Sequence, residues 1–123
     1  MATQPIATSA PAIEAHAALR FWRMSPQKAR LVIDLIRGQR AGTALQILRF
    51  TKKRAARDLE KVLRSAIANA EAGSGDVDVD RLYVKRIHVD DGPRMKRIRA
   101  APMGRAYRYQ RRLAHIVVEV SDE

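Results

Sequence analysis

The fold is decided by residues 82–120, which read LYVKRIHVDDGPRMKRIRAAPMGRAYRYQRRLAHIVVEV. Both ends of this stretch, Leu82 to Val89 and Leu113 to Val120, are rich in β-branched residues and predict two antiparallel strands. Residues 90–112 between them contain almost no core-forming side chains. Because a structureless loop of that length is rare in a small domain, both strands are expected to continue as a protruding two-stranded ribbon. Its tip is predicted near residues 101–104, where a proline and a glycine favour a turn.

Residues 93–112 carry a strong positive charge. They contain eight lysine and arginine residues and no acidic residue, and seven of the eight are arginine. An isolated hairpin is marginal in water, and repulsion between like charges opposes its folding further. A surrounding polyanion would reverse the sign of that repulsion, and arginine forks bind phosphate oxygens bidentately. The ribbon therefore predicts a nucleic-acid partner, with a merely solvated charged hairpin as the alternative.

Composition limits the class of protein. The chain has 123 residues and a formal net charge of +11, which suits one domain with a polyanionic partner. It contains no cysteine, which excludes a disulfide scaffold, cysteine-ligated zinc and a thiol nucleophile. No apolar run approaches the roughly 18 residues that a membrane span needs. Residues 1–12 are expected to form a flexible tail, and residues 13–123 a single domain of a soluble intracellular protein.

Residues 14–22 alternate weakly between apolar and polar side chains. The alternation predicts a half-buried strand from Glu14 to Trp22. One face is expected to carry Ala15, Ala17, Leu19 and Phe21. The other face is expected to carry His16, Ala18, Arg20 and Trp22.

Three helices are expected between this strand and the ribbon. Ser25-Pro26 starts the first helix, as an N-cap hydroxyl followed by proline, and Gly38 offers a left-handed stop. A short second helix is predicted from about Thr43 to Phe50. Thr51 is expected to cap a third helix, about Lys52 to Ala72, whose apolar residues form a one-sided face.

The helices carry a second group of cations. Lys28, Arg30 and Arg37 lie on the first predicted helix, and Lys52, Lys53, Arg54, Arg57, Lys61 and Arg64 lie on the third. Residues 52–54 would occupy the first helical turn, where the helix dipole disfavours positive charge. A nearby phosphate would relieve that cost, so these residues are candidate nucleic-acid contacts, with solvated surface charges as the alternative.

Polar clusters elsewhere predict no chemistry. His16, His88 and His115 fall one on each predicted strand, and three histidines can bind zinc. No pair of them has ligand spacing, so ordinary sheet histidines are expected instead. The run from Asp90 to Pro93 is interpreted as a bulge where the ribbon leaves the core, rather than as a catalytic carboxylate pair. No metal, cofactor or enzymatic activity is predicted.

Several ordered motifs carry a resemblance to a known family. They are SPQKARLVIDLIRG at residues 25–38, NA at 69–70, VDDGP at 89–93, MKR at 95–97, GRA at 104–106 and HIVV at 115–118. In this order and spacing they resemble the bacterial large-subunit ribosomal protein L-twenty-two family, over about residues 13–121.

The resemblance implies an α+β fold, with three helices packed on a small three-stranded antiparallel sheet and a long protruding β-hairpin at about residues 91–111. It implies a structural constituent of the ribosome that binds large-subunit ribosomal RNA, supports subunit assembly and lines the nascent-peptide exit tunnel with its hairpin. The implied partners are that RNA, neighbouring large-subunit proteins (one of the L-four type at the tunnel constriction) and the nascent polypeptide, with no membrane and no DNA. The implied location is the cytoplasm, in the large ribosomal subunit.

The resemblance also implies which residues line the exit tunnel, and it makes ribosomal RNA the expected partner of the basic residues. The tunnel-lining tip would comprise Ala100, Ala101, Pro102, Met103, Gly104 and Arg105. The family's usual Pro-Arg-Ala reads Ala100-Ala101-Pro102 here, so one tip arginine is lost and the proline is displaced. The residues predicted to contact ribosomal RNA are Arg20, Arg23, Lys28, Arg30, Arg37, Lys52, Lys53, Arg54, Arg57, Lys85, Arg86, Arg94, Lys96, Arg97, Arg99, Arg105, Arg108, Tyr109, Arg111, Arg112 and His115.

Two other functions remain open from the residues alone. The first is a DNA-bending architectural protein with basic β-arms, which would commonly act as a dimer. The second is a metal-dependent nucleic-acid enzyme built on the three histidines.

Overall fold

Three strands form one antiparallel sheet, and three helices pack against it. The structure is a computed structural model and describes residues 14–73 and 78–122, so the tail predicted at residues 1–12 lies outside the described residues. The elements are β1 (Glu14–Trp22), α1 (Pro26–Ile36), α2 (Ala41–Phe50), α3 (Arg54–Gly73), β2 (Tyr83–Ala100) and β3 (Ala106–Ser121), with short 3-10 turns at Val79–Arg81 and Pro102–Gly104. The α+β class is confirmed. Within the described ranges, no helix is long and apolar enough to cross a membrane.

The central strand of the sheet is β3, and the order is β1-β3-β2. Ile116 of β3 pairs with Leu19 of β1 on one side and with Val89 of β2 on the other. Alternate β3 residues from Ala114 to Val120 are fully buried, whereas the residues between them are only partly buried. One face of the sheet therefore builds the core with the helices, and the other face is open.

Near its end, β1 departs from the predicted alternation. Its register with β3 shifts between Leu19 and Trp22, which marks a bulge, and Phe21 has a left-handed φ of 57°. The extra residue reverses which side chains point inward. Trp22 is therefore buried at 8% exposure, and Phe21 is 62% exposed. The sequence prediction, which placed Phe21 on one face with Ala17 and Leu19 and Trp22 on the other, is wrong at these two positions.

The three predicted helices are present, but some of their ends differ from the prediction. Ser25 occupies the N-cap position of α1 without a side-chain capping hydrogen bond, and Gly38 adopts the predicted left-handed φ, at 77°. Thr51 ends α2 rather than starting α3, because its hydroxyl donates to the carbonyl of Ile47 at 2.6 Å. Since α3 begins only at Arg54, Lys52 and Lys53 lie in the connection between the helices and not in a first helical turn.

Beyond the core, β2 and β3 continue as the predicted ribbon. Their register shifts between Asp91 and Arg94, so the predicted bulge is confirmed. Pairing then runs without a break from Arg94–Arg112 to Ala100–Ala106, and none of residues 90–112 is buried. We call residues 94–112 the extension. Its tip turns through Met103 and Gly104, which both have positive φ.

Candidate nucleic-acid interface

Both faces of the extension carry positive charge. Because strand residues alternate between faces and directly paired residues share one, Arg94, Lys96, Arg108 and Arg112 lie on one face. The other face carries Arg97 paired with Tyr109, Arg99 paired with Tyr107, and Arg111 paired with Met95. Along β3 alone, Tyr107 and Tyr109 lie on the opposite face from Arg108. Pairing of the two arms sets an arginine of β2 directly opposite each tyrosine of β3.

Few contacts within the protein hold these side chains. Arg94 donates to the side-chain oxygen of Gln110 at 3.2 Å, and the Arg111 guanidinium lies 5.5 Å from the centre of the Tyr109 ring. The ion pairs among the described residues include none of the eight cations at positions 93–112. These charges are therefore available to an external anion, which is the arrangement that phosphate binding requires.

A cleft at the base of the extension gathers cations from distant parts of the chain. Its volume is about 530 Å³, and it lies between the start of α1, the start of α3 and the paired arms. Six cations and no acid line it: Arg23, Lys28, Arg54, Arg97, Arg111 and Arg112. A cleft lined by one sign of charge concentrates ions of the opposite sign. The structure thus unites two groups of cations that the sequence could only treat as separate.

Two predicted contact residues, one on α1 and one directly after it, also brace this helix against β2. Arg30 donates to the carbonyl of Val89 at 3.0 Å, and Arg37 donates to the carbonyl of Ile87 at 3.1 Å. Each guanidinium also has a carboxylate neighbour, Asp91 at 4.0 Å from Arg30 and Asp34 at 3.6 Å from Arg37. Because about half of each side chain remains exposed, these arginines join α1 to the sheet and keep donors directed toward solvent.

The predicted cations on β2 within the core region are paired. Lys85 forms a hydrogen-bonded ion pair with Glu14, which raises the pKa of Lys85 and lowers the pKa of Glu14. Arg86 lies 4.0 Å from Glu119 on the adjacent strand. An RNA phosphate bound by either cation would lie close to the carboxylate of that pair.

The remaining predicted residues lie apart from the cleft lining. Lys52, Lys53 and Arg57 are exposed around the start of α3, and Arg20 is exposed at the β1 bulge. His115 is partly buried, and its Nδ1 accepts a hydrogen bond from the Phe21 backbone N–H at 3.1 Å. In the described part of the chain, no group of three or more potential ligands is arranged to hold a metal ion.

Sequence reasoning missed the contact that anchors β1 to α3. The indole N–H of Trp22 donates to an Asp58 carboxylate oxygen at 2.7 Å. No local signal could have identified this pair, because the inward turn of Trp22 depends on the bulge before it.

Comparison with known proteins identifies the family. The sequence model of the family described as "Ribosomal protein L22p/L17e" matches residues 17–121. The chain belongs to this family. The resemblance of the motifs is thereby confirmed, and so is the expectation of a structural, non-enzymatic ribosomal protein of the cytoplasm.

Curated relatives of the L22p/L17e family cover most of the chain. One from Solibacter usitatus is 62% identical over 111 residues, which span 90% of this chain and 98% of the relative. One from Koribacter versatilis is 54% identical over 115 residues, spanning 90% of this chain and 69% of the relative. One from Halothermothrix orenii is 51% identical over 111 residues, spanning 90% and 97% respectively. Each of these relatives is named "Large ribosomal subunit protein uL22".

Proposed function

We propose that this chain binds large-subunit ribosomal RNA, with the extension inserted between RNA segments and the basic cleft seated on the phosphate backbone. The observation that carries the proposal is a ribbon with cations on both faces and no carboxylate paired to any of them within the described residues. A ribbon lying flat on one RNA surface would need cations on one face only. Charge on both faces suits a ribbon that has RNA on two sides.

Phosphate contacts are expected to dominate the affinity. Arginine forks suit phosphate geometry, and an RNA helix offers side chains its backbone and shape more readily than its base edges. The cleft extends this interface onto the globular part, because its six cations lie where α1, α3 and the extension meet. Binding there would fix the direction in which the extension leaves the core. That orientation is how the protein would support folding of the RNA during subunit assembly.

The tip is proposed to line the nascent-peptide exit tunnel, opposite a loop of an L-four type protein. Ala100 to Arg105 form a turn that contains no aromatic or β-branched side chain, and Met103 within it is 93% exposed. Its two alanines and its glycine would leave room for a passing polypeptide. Locating this tip in density for the large subunit tests the tunnel placement directly.

The RNA-binding proposal is tested by salt titration of binding to large-subunit ribosomal RNA. Replacing Arg97, Arg99 and Arg108 with glutamine removes three cations of the extension. Each lost phosphate contact should reduce the slope of log K against log salt by roughly 0.7–0.9, so the triple variant should lose about 2 to 3.

A matched control removes the same net charge elsewhere. Arg40, Arg49 and Arg81 are exposed and lie outside the proposed interface, so their replacement by glutamine should leave the slope nearly unchanged. Equal losses in both triple variants would mean that only net charge matters. Wild-type affinity that hardly responds to salt would refute phosphate-dominated binding altogether.

A further inference from the structure

The bulge in β1 exposes an aromatic side chain on a strained backbone. Phe21 has a φ of 57°, a conformation that bulky residues rarely adopt, and it is 62% exposed. Its neighbour Trp22 is buried and bonded to Asp58. Neither burial nor backbone preference therefore favours the position of the Phe21 ring. Strain of this kind persists where the surroundings impose it, and it is concentrated at functional sites.

Contacts with β3 hold Phe21 in this position. Its backbone N–H donates to Nδ1 of His115 at 3.1 Å, and the two rings meet edge to face with centres 5.1 Å apart. The register leaves Arg20 and Phe21 together opposite His115, on the open side of the sheet. Phe21 nevertheless stays 62% exposed, so much of its surface remains open to solvent.

We propose that Phe21, supported by His115, is a stacking platform for an unpaired nucleobase of RNA. This inference rests on the proposed RNA-binding function and adds a base contact that phosphate binding does not require. Cations lie on both sides of the platform along the chain, Arg20 within the bulge and Arg23 in the lining of the basic cleft. They would hold the phosphates flanking a base that is splayed onto the ring. An exposed aromatic ring between cations matches how proteins bind single-stranded RNA.

Fluorine NMR can observe the platform directly, because the chain contains only two phenylalanines. Full-length protein labelled with 4-fluorophenylalanine should give two signals, which a Phe50→Leu variant assigns. Phe50 is 81% exposed at the end of α2 and serves as the internal control. The probes are a short oligoadenylate and an abasic oligonucleotide with the same phosphate backbone. Stacking predicts that the Phe21 signal moves with oligoadenylate only, while the Phe50 signal stays in place.

The outcomes separate this inference from the proposed function. Binding of both probes without a distinct Phe21 response to the bases would overturn the stacking platform and leave phosphate binding intact. If the oligoadenylate, the abasic oligonucleotide and ribosomal RNA all failed to bind, both proposals would be overturned. As a second measurement, Phe21→Leu should weaken ribosomal RNA binding about tenfold at every salt concentration without changing the salt slope. Phe21→Trp should restore the affinity, and an affinity of Phe21→Leu equal to wild type would also refute the platform.

Discussion

Excising the extension should leave the core folded. The register places Arg94 directly opposite Arg112, so residues 95–111 can be replaced by an Asn-Gly turn that joins the two strands at that pair. The deletion ends beyond the bulge and keeps Leu113 and every other buried residue. The deletion also removes the whole tip, including its two positive-φ residues. The Asn-Gly turn is therefore the only new loop.

The magnitude follows from burial and charge. None of the excised residues is buried, so the deletion removes little of the apolar area that stabilises the folded state. It also removes six cations and no acid, which lowers the formal net charge from +11 to +5 and relieves repulsion along the arms. Because large losses come from core and hydrogen-bond damage, the free energy of unfolding should change by no more than about 1 kcal/mol.

Urea unfolding followed by tryptophan fluorescence measures this change. Trp22 is the only tryptophan in the chain, and its burial makes it a reporter of the core rather than of the extension. The deletion variant should unfold in one cooperative transition, with a lower denaturant slope because less surface becomes exposed. Loss of cooperativity, or a loss of several kcal/mol, would show that the extension is part of the core and would refute the separation drawn here.

Two smaller predictions concern the points where the sheet bends. Asp58→Ala should destabilise the fold by about 1–3 kcal/mol in urea unfolding, because it leaves the indole N–H of Trp22 without an acceptor, whereas Asp58→Asn keeps an acceptor and should recover most of the loss. A stable Asp58→Ala variant would mean that the bond does not hold β1 in place. Gly92→Ala should cost about 1–3 kcal/mol, because its Cβ would lie 3.0 Å from the backbone carbonyl of Leu113. Gly42 in α2 is the matched control, because no neighbouring atom lies within 4 Å of a Cβ added there. Thermal unfolding measures both variants, and Gly42→Ala should be neutral or stabilising. Equal losses of stability in the two variants would rule out a steric cause.

Much of the fold was predictable because its signals are local. Apolar residues on one side identified the buried face of α3, and the strand from Glu14 to Trp22 was predicted with the observed bounds. The absence of core-forming residues between 90 and 112 predicted the extension, since no alternative structure could bury that segment. The bulge near Gly92 followed from its own residue types.

The cations of the candidate interface were equally visible in the sequence, but their roles were not. Nothing local distinguishes Arg30, which donates to a β2 carbonyl, from Lys28, which lines the cleft. The cleft exists only because α1, α3 and the extension converge there. Which cations brace the fold and which face a partner is therefore a property of the packed molecule.

Residue type and spacing determined by themselves that this chain would form three helices, three strands and a protruding cationic ribbon, and the family resemblance implied their α+β fold. Tertiary structure alone decided that Trp22 turns inward while Phe21 turns outward. The physical reason is that periodicity records only the average burial of a segment. The position of the β1 bulge depends on hydrogen bonds and packing with residues distant in the chain, His115 and Asp58, and no local pattern encodes those partners.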